Sequence, residues 1–134
     1  MLRNRDEMLP FPLQIQPGLP ISDQLVYAVK KAVISGLLKP GSKFPSVRTV
    51  SQELRIHPNT AHKAIGVLVG EGLLEVHPGI GTVVGQIPSA PSARELKLLE
   101  GEVERLVVEA KNRRLRLDDL QRMVERQWSR LTSH

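Results

Sequence analysis

A chain of 134 residues suits one small domain, or a domain with an appendage, and 40% apolar content is enough for a modest core. The absence of cysteine excludes disulfides, thiolate metal sites and thiol nucleophiles, and 3% aromatic residues predict a core of Leu, Val, Ile and Ala. A formal net charge of +5 permits an anionic partner without requiring one, because Lys and Arg bound to phosphates release counterions.

The amino-terminal stretch "MLRNRDEMLPFPLQIQPG" mixes charges and prolines into its apolar residues. No apolar run approaches the roughly 20 residues that span a membrane, so a soluble cytoplasmic protein is expected. Residues 1–19 read as an extended arm, with "LQIQ" as a short strand or edge segment. From Ile21 to Gly36, Leu25, Ala28, Val29, Ala32 and Val33 recur at helical spacing, and Gly36 can take the left-handed conformation that closes the helix. Pro40-Gly41 then signals a turn.

A short second helix is expected from Ser46 to Arg55, capped by Ser46, with Val47, Val50 and Leu54 facing inward. Arg48 lies off that stripe, free to pair with Glu53 or to face solvent. After a tight turn at Arg55-Ile56-His57, with Ile56 as a plug, a third helix runs from Pro58 to about Glu71. Proline suits its first position, where the N–H has no intrahelical partner. Ala61, Ala64, Ile65, Leu68 and Val69 form the inner face of this helix. Gly72 stops it, and "LLEVH", "PGIG" and "TVVG" read as strand, turn, strand.

Residues 86–93, rich in Pro, Ser and Ala, read as a linker between a winged domain (1–85) and a tail (94–134). In the tail, Leu96, Leu99, Val103, Leu106 and Ala110 fall at spacings of three and four, a heptad-like seam with charged flanks. Leu117, Leu120, Val124, Trp128 and Leu131 continue it on a last helix, for which Asp118 is the expected cap. The seam is either core for the first domain or half of a dimer interface. Two helices alone bury little, which favours dimerisation through Leu96, Leu99, Val103, Leu106, Ala110, Leu120, Val124 and Trp128.

The fold expected is mainly α with a small β-hairpin: a winged helix-turn-helix plus a short two-helix dimerisation module. Its chemistry sits at the start of the third helix. Asn59, Thr60, His62 and Lys63 offer donors and acceptors short enough for base edges in a major groove, beside a helix amino terminus that favours phosphate. The bland alternative is a solvated helix face. Gly79 and Gly81 allow the hairpin to approach a sugar-phosphate surface closely. His57 and His62 are five apart, not at the four-residue spacing of helical metal ligands, so no zinc site is expected. Nothing in the serines or the "PGIG" turn suggests catalysis, and no cofactor is expected.

The run from Pro20 to Val84 resembles the DNA-binding domain of GntR-family bacterial transcription regulators. The motifs that carry it are "GLLKPGSKFPSVRTVS", "NTAHKA", "LVGEGLL" and "PGIGTVV", in the family's order. The Pro-Asn-Thr opening and short tail are similar to the YtrA-like branch. The resemblance implies DNA contacts from Ser46 and Arg48 of "PSVR", from Asn59, Thr60, His62 and Lys63, and from the wing at Gly79 and Gly81. Departures from the family pattern are Ile80 where Arg or Lys is common, Pro58 where Arg is common, and His57 where Ser, Thr or Asn often caps. The function expected is that of a homodimeric repressor on a near-palindromic double-stranded operator, with an unknown small-molecule effector possible at the dimer interface or between tail and winged domain. A winged-helix protein-interaction module without sequence-specific DNA binding is the alternative.

Overall fold

The computed structural model describes residues 9–86 and 90–131. The element order is α1 (Ile21–Ile34), α2 (Val47–Leu54), α3 (Pro58–Gly70), β1 (Leu74–His77), β2 (Gly81–Val84), α4 (Ala93–Asn112) and α5 (Leu117–Arg130). The chain divides into two compact units, with the break inside the Pro/Ser/Ala-rich stretch. Residues 1–8 of the expected arm and 87–89 of the expected linker lie outside the described residues.

In the first unit, α3 packs against α1, α2 and β1. Small residues make this possible. Ala61 and Ala64 are fully buried, so neighbouring elements can close on the helix, while Leu68 fills the space further along. Leu25 and Val29 of α1, Val50 of α2, and Leu74 and Val84 of the hairpin complete the core. The helix ends follow local chemistry. Ser46 caps α2, its Oγ accepting from the Thr49 N–H at 3.2 Å. α1 ends at Ile34, two residues short of expectation; Ser35 is its carboxyl-terminal cap and Gly36 follows at φ 83°.

Two sequence expectations fail in the arm. "LQIQ" forms no strand, and Leu9 and Phe11 are buried, at 6% and 2% exposure. The core is therefore not wholly aliphatic. Phe11 stacks on Phe44 with ring centroids 5.7 Å apart and planes 6° from parallel. Gln24 fixes the arm's return to α1: its carbonyl oxygen accepts from Gln16 N–H at 2.8 Å, and its amide donates to the Gln16 and Leu19 carbonyls.

The hairpin pairs β1 with β2 antiparallel, Leu74 opposite Val84 and His77 opposite Gly81. Ile80 N–H closes the turn onto the His77 carbonyl, with Pro78 and Gly79 (φ 79°) between them. Pro followed by a positive-φ Gly is the pattern of a type II turn. Residues 41–44, read from sequence only as a turn and its exit, run along the free edge of β2. Phe44 N–H donates to the Thr82 carbonyl at 2.9 Å, and Val84 N–H donates to the Ser42 carbonyl at 2.8 Å. The hairpin root is thus held from both sides.

In the second unit, Ser92 and Glu95 form a reciprocal capping box that opens α4. Asp118 does not cap α5. The first turn is closed by Asp119, whose carboxylate accepts from Arg116 N–H at 3.0 Å, while Asp118 pairs with Arg116 and Arg122. Ala110 and Leu120 are buried at the bend between the helices. No helix among the described residues is long and apolar enough to cross a membrane.

Candidate nucleic-acid interface

The first turns of α3 bring four of the expected residues together. Asn59, His62 and Lys63 are exposed and Thr60 is half-buried. Spacings of three and four set Asn59, His62 and Lys63 on one stripe, opposite the buried Ala61, Ala64 and Leu68. Gly66 and Gly70 continue that stripe, with open space where a Cβ would stand. The outer face of α3 therefore carries polar side chains for two turns and then bare backbone. Sequence reasoning missed the glycines, although the spacing from Asn59 predicts their position.

The start of α3 is set by His57. Its Nδ1 accepts from Asn59 N–H at 3.0 Å, so the imidazole takes the place of the usual Ser, Thr or Asn cap. Pro58 follows at the first helical position. The N–H groups of Asn59, Thr60 and Ala61 all find acceptors on His57, so it is the helix dipole that makes the space beside Asn59 favourable for phosphate.

Arg48 lies in the first turn of α2 and is exposed. Its side chain makes no hydrogen bond or ion pair among the described residues. Ser46 is exposed, but its hydroxyl is engaged with Thr49: besides the cap it donates to Thr49 Oγ1 at 3.1 Å. Its role in this structure is to hold Arg48 at a helix start. Lys30 of α1, by contrast, is spent on Glu71 at 3.0 Å, tying α1 to the end of α3.

Gly79 and Gly81 sit at the hairpin tip with φ of 79° and 110°. Ile80 between them is 57% exposed. No Lys or Arg occurs from Leu74 to Val84, and His77 is paired with Glu75 at 3.0 Å. Lys43 bridges to Val83 at the hairpin root.

The tail seam is open. Leu96, Leu99, Val103 and Leu106 are 45–60% exposed, Val124 is 47% and Trp128 78% exposed. Ala110 and Leu120 differ from the rest because the bend already buries them. Among the described residues no group of three or more His, Asp or Glu could hold a metal ion.

Comparison with known proteins agrees with this geometry. The sequence profile of "Bacterial regulatory proteins, gntR family" matches residues 21–84, from the first residue of α1 to the last of β2. The HTH-type transcriptional repressor YtrA of Bacillus subtilis (strain 168) is 28% identical over 116 residues, 84% of this chain and 89% of YtrA. Among solved structures, the transcriptional antiterminator from Listeria monocytogenes EGD-e superposes with a TM-score of 0.77 at 21% identity, covering 87% of this chain and 88% of that one. YtrA from Sulfolobus acidocaldarius, a GntR-family transcription factor, gives 0.53 at 23% identity, covering 88% and 96%. At these identities the structural matches speak for the fold. With the helix-turn-helix and hairpin inside the matched residues, residues 21–84 of this chain are a domain of the gntR family of bacterial regulatory proteins.

Proposed function

We propose that this chain is a cytoplasmic, homodimeric repressor of the YtrA-like type, binding a near-palindromic DNA operator. The observation that carries the DNA reading is the outer face of α3. Asn59, His62 and Lys63 are exposed and regularly spaced, and stand at a capped helix start inside a gntR-family domain. Short polar side chains there suit base edges, while Lys63 and Arg48 suit phosphates; phosphate contacts set register and base contacts select sequence. The repressor reading is supported by YtrA of Bacillus subtilis, whose length this chain nearly matches.

The open seam of the tail supports the dimer. An amphipathic helix with four large apolar residues half-exposed gains most by burying them against a second copy. Two winged domains held this way would set their α3 helices in successive major grooves, about one helical turn apart. Occupancy of the operator would then exclude polymerase.

Arg48→Ala tests the DNA reading. Tm and dimerisation should stay as in wild type, because the Arg48 side chain makes no hydrogen bond or ion pair among the described residues, while operator affinity should drop about tenfold. Equal affinities in a gel-shift titration at fixed salt would end the assignment of Arg48.

One observation favours the alternative of a protein-interaction module. The hairpin tip presents Ile80 and carries no Lys or Arg. Selection of duplexes from a random pool separates the two: a repressor enriches one motif, an interaction module enriches none.

A further inference from the structure

The turn between α2 and α3 contains a backbone anomaly. Arg55 occupies the left-handed region, at φ 56° and ψ 48°, where its N–H closes α2 onto the Ser51 carbonyl. Left-handed backbone crowds a Cβ against the following carbonyl, which is why glycine or asparagine usually fills this position. Gly36 and Gly72 carry the positive φ beyond α1 and α3 in the same unit. Among the described residues of this unit, a residue other than glycine takes this strain only here. Strain of this kind in a turn points to a function for the side chain.

That side chain is exposed and makes no hydrogen bond or ion pair among the described residues. It is also badly placed to serve the fold, since Ile56 next to it packs against the core. What remains is a guanidinium four residues before Asn59. Four extended residues span at most about 14 Å, and the turn is tighter than that. A major groove is about 12 Å wide and walled by phosphates on both sides. When the start of α3 enters such a groove, the turn that precedes it lies at the groove's lip. Between Ser46 and Lys63 the charged residues are Arg48, Glu53, Arg55 and Lys63, with a positive balance.

We propose that Arg55 is a DNA-phosphate contact, kept in a strained turn because the cation is needed at the groove edge. This rests on the DNA-binding reading above and adds a third cation to Arg48 and Lys63. It predicts opposite signs for stability and binding, which an ordinary structural residue would not give.

The test is Arg55→Gly in the full chain. Relief of the left-handed strain should raise Tm by about 2–5 °C. Affinity for a duplex selected with wild type should fall about 3- to 10-fold, and the salt slope should become shallower by about two per dimer. Arg55→Lys, which keeps both charge and strain, should retain most of the affinity. Arg114, the other left-handed arginine among the described residues, lies between α4 and α5 and supplies a control. Arg114→Gly should raise Tm without moving the salt slope. Unchanged affinity and slope in Arg55→Gly would overturn the proposal while leaving the DNA reading intact. A wild type that enriches no duplex would end both.

Discussion

Paired substitution of Leu99 and Leu106 by alanine tests the dimer most directly. The two side chains are 60% and 45% exposed in a single chain, which together is about one whole leucine. Burying a leucine side chain contributes about 1.5–3 kcal/mol, and two-fold symmetry doubles that. Allowing for the methyl that alanine retains, the double variant should lose about 2–5 kcal/mol of association free energy. That corresponds to a rise in dimer Kd of roughly 30-fold to several thousand-fold. Alanine is the strongest helix former, so α4 should persist and circular dichroism should barely change. Sedimentation equilibrium over a range of concentrations gives Kd directly. Operator affinity should fall with it, toward that of a single winged domain, because the second half-site loses its tether. An unchanged Kd, or a wild type that stays monomeric at concentrations saturating the operator, would refute the reasoning from the exposed seam.

Phe11→Ala should cost about 3–5 kcal/mol, because Phe11 is 2% exposed and stacked on Phe44; urea denaturation of the variant measures it. A loss below about 1 kcal/mol would mean the arm is not part of the core. Gly66→Ala should stabilise the free protein by about 0.5–1 kcal/mol, since α3 has room for the methyl. The same methyl should weaken operator binding if the bare stripe of α3 lies against DNA, and equal affinity would restrict reading to the first two turns. The Glu95 carboxylate is held below the usual range by the Ser92 backbone N–H and then by the Ser92 hydroxyl. A depressed folded pKa contributes stability above the unfolded value that is lost as pH falls through the folded one. Acidification should therefore fray the start of α4, seen in the Ser92 and Glu95 amide resonances, and Glu95→Gln should lessen that dependence.

Most of the winged unit was legible because its signals are local. Helical spacing in α1, α2 and α3, Ser46 before α2, Pro58 at the head of α3 and Pro78-Gly79 in the hairpin each act within a few residues. Periodicity also separates the outer face of α3 from the inner one, so Asn59, His62 and Lys63 could be named in advance. The misses are of two kinds. Local signals of the first kind include "SARE", which holds the box that opens α4, and Gly66 and Gly70, which lie on the outer stripe of α3. Asp118 is the cap that sequence suggests, but Asp119, one residue later, closes the turn.

The other kind could not be read from spacing at all. Phe11 lies in a proline-rich arm without periodicity, and only the folded chain brings it onto Phe44. Residues 41–44 acquire their place along β2 from a partner some forty residues away. The left-handed turn at Arg55 depends on how α2 and α3 meet. The apolar seam of α4 was visible in sequence, but its exposure is a tertiary fact. Sequence by itself determined where most helices begin, which faces are apolar and which side chains lie on the outer face of α3, because those follow from neighbours along the chain. Tertiary structure alone decided which apolar residues are buried and which stay exposed, because burial depends on contacts between distant segments.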